Sequence, residues 1–136
     1  MARAQRTAEL AGLRRCEPTA ALLELDYGEY EGLTTSEILV SRADWDLFRD
    51  GCPGGETVEQ AGARVAPLID ALSPETGSGD VVLVAHGHVL RVLTAVYLGE
   101  RPLLARAFVL GTASVSILGH EHAWRAVTRW NLGRVY

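Results

Sequence analysis

The chain has 136 residues and a formal charge of −4, from 13 basic and 17 acidic side chains, and every basic residue is arginine. That balance speaks against a nucleic-acid surface, and the absence of lysine excludes a Walker-type phosphate loop. The length and 48% hydrophobic content suit a single domain over 1–136. No apolar run approaches the roughly 18 residues of a membrane span, so no membrane partner is expected. Cys16 and Cys52 lie far apart without metal-ligand spacing, as in a reducing, cytoplasmic protein.

Residues 1–10, MARAQRTAEL, place small and apolar side chains on one helical face, with Gly12 positioned to end the helix. Residues 22–33, LLELDYGEYEGL, alternate and then break at Gly28 and Gly32, which predicts a short strand entering an acidic loop. Thr34 and Glu37 form a capping box that predicts a helix running on to Phe48. RDGCPGGE, 49–56, is turn chemistry. A second capping box, Thr57 and Gln60, opens the clearest helix, with Val58, Ala61, Val65, Leu68, Ile69 and Leu72 at helical spacing. SPETGSGD, 73–80, reads as a polar connector too short to divide two domains.

Val81–Ala85 is a continuous apolar run of the kind expected in a strand buried on both faces, and His88–Leu98 reads as a helix stopped by Gly99. Between them lies His86-Gly87, where the free N–H groups of a helix N-terminus favour an anion. The stretches 112–119 and 123–131 predict a hairpin around GHEH.

Arg3, Glu24 and His86 together supply what phosphoryl transfer needs. An arginine fork grips phosphate oxygens, a histidine donates to another, and a carboxyl protonates the leaving oxygen. The two H-x-H pairs, His86/His88 and His120/His122, would also suit metal ligation. However, His86 is already taken up by phosphate chemistry and GHEH reads as an exposed turn, so no metal is expected.

Three elements in order then resemble the histidine phosphatase superfamily, the phosphoglycerate mutase-like proteins. RAQRTAEL resembles its R-A-x-x-T-A element, LLELDYGEYEG its L-x-E-x-x-Y-G-x-x-E-G element, and VVLVAHGHVLR its second-histidine element. The resemblance implies a three-layer α/β/α fold with sheet order 3-2-4-1-5-6. It implies that Arg3 is a phosphate-pocket arginine, Glu24 the general acid and base, and His86, with the Gly87 helix start, the holder of the phosphoryl group. It implies a phosphorylated small-molecule substrate and no cofactor. DWDLFRDGCPGGETVEQAGAR points to the phosphatase branch, acting on sugar phosphates or broadly as an acid phosphatase, with Asp26, Tyr27, Arg49, Asp50, Glu56 and His88 as loop candidates for substrate choice.

The pattern departs from the family at its start. Members open with a strand ending in R-H-G, whose histidine becomes phosphorylated, and no Arg-His-Gly occurs in these 136 residues. The expectation is therefore the C-terminal portion of the domain, N-terminally truncated and lacking strands 1 and 2. Such a chain would be inactive alone and would self-associate through an unpaired strand. The alternative is a non-catalytic, phosphate-binding or regulatory relative.

Overall fold

A computed structural model describes residues 2–72 and 79–133; most of the predicted connector, residues 73–78, lies outside them. Helix α1, Ala2–Leu10, ends as its sequence predicts, with Gly12 at φ 79°. Both capping boxes form. Thr34 opens α2, Thr35–Ser41, and Thr57 opens α4, Val58–Ala71, each hydroxyl accepting from the backbone N–H three residues on.

The single helix expected from Thr34 to Phe48 is instead two. After α2 the chain turns, and Asp46 caps a second short helix, α3, Leu47–Asp50, by accepting from the N–H groups of Phe48 and Arg49 at 3.0 Å each. A local carboxylate offers the backbone an alternative to continuing the helix, which is why the break falls there. Helix α5, Gly87–Tyr97, starts with His86 as its N-cap.

The core lies where α4 meets α5. Val58, Ala61, Val65 and Ile69 on one helix pack with Val89, Val92 and Leu93 on the other, and Leu25, Phe48 and Ala105 close its margins. Gly62 permits close approach, since a Cβ there would collide with the ring of Pro102, which begins the 3₁₀ turn Pro102–Ala107. Strands β1, Val115–Glu121, and β2, Trp124–Leu132, form the predicted antiparallel hairpin, turning at His122 and Ala123. It docks on the C-terminal end of α5, where the Tyr97 hydroxyl donates to the Gly119 carbonyl at 2.8 Å and the Arg125 guanidinium lies over the Tyr97 ring.

Two strand expectations are corrected. Residues 20–22 form a 3₁₀ turn followed by chain without regular structure to residue 27, and 81–86 belongs to no helix or ladder. Among the described residues the only sheet is the β1/β2 hairpin, so the parallel layer expected of a three-layer α/β/α sheet is not formed there. The reason is physical. A strand exists through its partner, and the run 81–85 makes no backbone ladder with any described segment, leaving Val81 and Val82 exposed.

Candidate active site

The acidic loop is fixed before any of its side chains act. Glu56 N–H donates to the Asp26 carbonyl at 2.8 Å and Glu29 N–H to the Pro53 carbonyl at 2.9 Å, lacing 26–29 to 53–56. This lacing requires two glycines. Gly28 adopts φ 52°, and a Cβ on Gly55 would overlap the Asp26 carbonyl oxygen. Arg64 on α4 fastens the preceding turn, donating to the carbonyls of Ala20, Ala21 and Leu23 at 3.0, 2.8 and 3.1 Å while its other nitrogens hold Glu56 at 2.8 and 2.7 Å. The Glu56 carboxylate holds the guanidinium of Arg64 more firmly protonated than usual.

That scaffold delivers Glu24 to the start of α5. Its carboxylate accepts from the backbone N–H of His88 at 3.2 Å, of Val89 at 2.9 Å and of its own neighbour Leu25 at 3.1 Å. A negative group on a helix N-terminus answers both the unpaired N–H groups and the helix dipole. Glu24 and the helix capped by His86 are thus joined across more than sixty residues of chain. The first-turn N–H groups assigned to a phosphate by the sequence are shared with this carboxylate, and only Gly87 N–H is left without a partner among the described residues.

Beside Glu24 stands a pair that sequence reasoning named only as separate loop residues. The Tyr27 hydroxyl lies 2.6 Å from Nδ1 of His88. Burial, reinforced by the Glu24 charge, raises the Tyr27 pKa, so the phenol keeps its proton; burial likewise lowers the His88 pKa against the opposing pull of Glu24. Each group, when neutral, can donate or accept in this contact; a phenol proton directed at Nδ1 places the ring proton on Nε2. The His88 ring makes T-shaped contacts with Tyr27 and Phe48, and the Arg91 guanidinium lies over the Phe48 ring, 4.4 Å from its centroid.

Not every predicted residue joins this group. His86 is partly buried, and its side chain makes no capping hydrogen bond. Arg3 is exposed on α1, and no hydrogen bond or ion pair links its side chain to Glu24 or His86. Arg49 and Asp50 pair with each other on α3 at 2.7 Å, away from the Glu24 carboxylate's partners. A cavity of about 360 Å³ opens beside Glu24, lined by Leu23, Glu24, Asp26, Gly55, Glu56, Gln60 and Arg64. Its charge is wrong for a phosphate, because three carboxylates line it and the single cation is already bound to Glu56. Among the described residues no cluster of His, Cys, Asp and Glu is arranged to hold a metal ion. His120 packs edge-on against Tyr97, and His122 is exposed in the hairpin turn.

Comparison with known proteins agrees with the motifs. The family model of the histidine phosphatase superfamily (branch 1) matches residues 1–133. The chain is 42% identical over 120 residues to an acid phosphatase of Mycobacterium tuberculosis, covering 88% of this chain and 59% of that protein. It is 36% identical over 93 residues to the sedoheptulose 1,7-bisphosphatase of Saccharomyces cerevisiae, covering 57% of this chain and 34% of that protein. It therefore spans about three fifths or less of these curated relatives. A solved structure of the open reading frame Rv3214 from Mycobacterium tuberculosis superposes with TM-score 0.90 at 38% identity, covering 96% of this chain and 67% of that one. A mycobacterial glucosyl-3-phosphoglycerate phosphatase superposes with TM-score 0.77 at 28% identity, covering 97% of this chain and 74% of that one. These likenesses place the helices, the hairpin and the unpaired runs within one phosphoglycerate mutase-like α/β fold, and the chain belongs to the histidine phosphatase superfamily, branch 1.

Proposed function

We propose that this chain supplies the general acid and the second histidine of a phosphatase that hydrolyses phosphate monoesters of small molecules. The observation that carries the reading is the Glu24 carboxylate seated on the first turn of the helix that His86 caps. In the proposed reaction the phosphoryl group passes from the ester oxygen to a histidine nitrogen and then to water. Glu24 gives a proton to the departing alkoxide and takes one from the attacking water, while His86 and Arg3 hold the phosphoryl oxygens. The acid phosphatase, sedoheptulose bisphosphatase and glucosyl-3-phosphoglycerate phosphatase among the relatives favour a sugar phosphate or a broad range of monoesters over a mutase reaction.

The proposed nucleophile is the histidine of an Arg-His-Gly strand, a sequence these 136 residues do not contain. The chain by itself is then expected to give no turnover of p-nitrophenyl phosphate above background. A misplaced histidine cannot replace the nucleophile, since about 1 Å of error can cost on the order of a hundredfold. A chimera that places an R-H-G-ending strand, a helix and a second strand before Met1 should turn over without metal. In it, His86→Ala and Arg3→Ala should each lose roughly a hundredfold or more, and His88→Ala much less. Abolition of activity by chelators, or a His86→Ala chimera close to the parent, would defeat the proposal. The unpaired run 81–85 is further proposed to drive self-association of the chain alone, which light scattering over a concentration series would test.

A further inference from the structure

Tyr27 and His88 come from segments 61 residues apart, yet their bond is the shortest polar side-chain contact to reach across the site. The atom it fills matters. Nδ1 of His88 is also the ring nitrogen that faces Glu24, 3.9 Å from Oε2. A proton on Nδ1 would turn that separation into a competing ion pair and draw the carboxylate off the backbone N–H groups that now hold it. Occupation of Nδ1 by a neutral O–H donor removes the competitor.

We propose that Tyr27 and His88 are positioning residues for Glu24: the Tyr27 hydroxyl fills Nδ1 of His88, which keeps the imidazole from closing on the Glu24 carboxylate and leaves that carboxylate on the N–H groups of His88 and Val89. The inference rests on the assignment of Glu24 as the acid, and it concerns how that acid is aimed. The surroundings favour the neutral ring. Glu24 faces it from the acidic loop and favours a proton, while Arg91, one turn along α5, opposes one, and Phe48 from α3 offers an apolar wall. Tyr27 in turn is faced by Glu24, Glu31 and Cys52, each of which discourages a phenolate.

The test is nuclear magnetic resonance of the full chain, labelled with ¹⁵N, from about pH 8 to about pH 5.5, across the ordinary histidine value near 6.5. The His88 ring is expected to carry its proton on Nε2 with Nδ1 bare, and to resist protonation below the ordinary histidine value. In Tyr27→Phe, which preserves the ring, the His88 midpoint should rise by about one pH unit, and the Val89 amide resonance should move with it as Glu24 is drawn away. A wild-type ring protonated at Nδ1, an unchanged midpoint in Tyr27→Phe, or a Val89 amide indifferent to the change would each overturn the inference. In the turnover-competent chimera, Tyr27→Phe should lose kcat/KM progressively toward acid pH, and a second change, His88→Asn, which cannot be protonated, should remove that dependence. The same loss at every pH, unrelieved by His88→Asn, would mark a merely structural role and contradict the proposal. Failure of the phosphatase reading appears instead as a chimera without turnover whose His88 and Val89 resonances still behave as described.

Discussion

Val81–Ala85 and helix α5 follow one another directly and are similarly apolar, yet they meet opposite fates. In α5, Val89 and Val92 are fully buried and the backbone is bonded beyond the first turn; in the preceding run Val81 and Val82 are more than half exposed, Leu83 and Ala85 are only partly buried against the core, and the backbone has no ladder among the described residues. A helix satisfies its own N–H and C=O groups and needs only an apolar neighbour, which α4 provides. An extended run needs a second chain segment for the same purpose. Apolar composition predicts a wish to be buried, and without a hydrogen-bonding partner the run meets it only in part, through Leu83 and Ala85.

The largest expected contrast is in amide exchange. Val81–Ala85 should exchange roughly a thousandfold or more faster than Val92 and Leu93, because the run opens at almost no cost whereas α5 opens only with the core. Equal protection in the two regions would break the comparison. Substitution should sharpen it. Val92→Ala should cost about 2 kcal/mol of stability, and Val82→Ala should stay within about 0.5 kcal/mol, both read from denaturant midpoints.

Gly55→Ala tests a different kind of order, the lacing that brings the acidic loop to α5. It should cost about 1–3 kcal/mol, because the new methyl group meets backbone atoms that cannot rotate aside. The smallest effect is pH-dependent. Burial lowers the His88 pKa in the folded chain, so as pH falls below the ordinary histidine value the unfolded chain takes up the proton first and stability declines until the folded chain follows. Above that value both states are neutral and the contribution vanishes. His88→Asn should therefore flatten the fall in Tm between about pH 7 and about pH 5.5. An unchanged slope would mean that His88 is not the group responsible.

What the sequence disclosed and what it withheld follow the same physical line. Local chemistry was legible: the capping boxes at Thr34/Glu37 and Thr57/Gln60, the stop at Gly12 and the hairpin near residue 122 each depend on neighbours a few residues away. The motifs also pointed to Glu24 and to the helix beginning at Gly87, which the fold joins. Long-range partners were not legible. Nothing in LLELDYGEYEG or AHGH says that Tyr27 reaches Nδ1 of His88, or that Arg64, on an otherwise helical pattern, turns back to three carbonyls of the 20–23 turn. The two predicted strands failed for the reason that separates Val81–Ala85 from α5, since a periodic pattern names a face but no partner. Asp46 was the missed local signal, a helix cap lying inside what the capping box at Thr34 made look like one helix.

The central claim is that Glu24, held on the first turn of α5, protonates the leaving oxygen, and leaving-group dependence tests it most directly. The measurement is kcat/KM of the turnover-competent chimera and its Glu24→Gln variant on glycerol 3-phosphate, whose alkoxide must be protonated as it departs, and on p-nitrophenyl phosphate, whose phenolate leaves unaided. The account predicts a loss of roughly a hundredfold or more for glycerol 3-phosphate and a far smaller one for p-nitrophenyl phosphate. Equal losses on both substrates, or a Glu24→Gln variant as active as the parent on glycerol 3-phosphate, would contradict it.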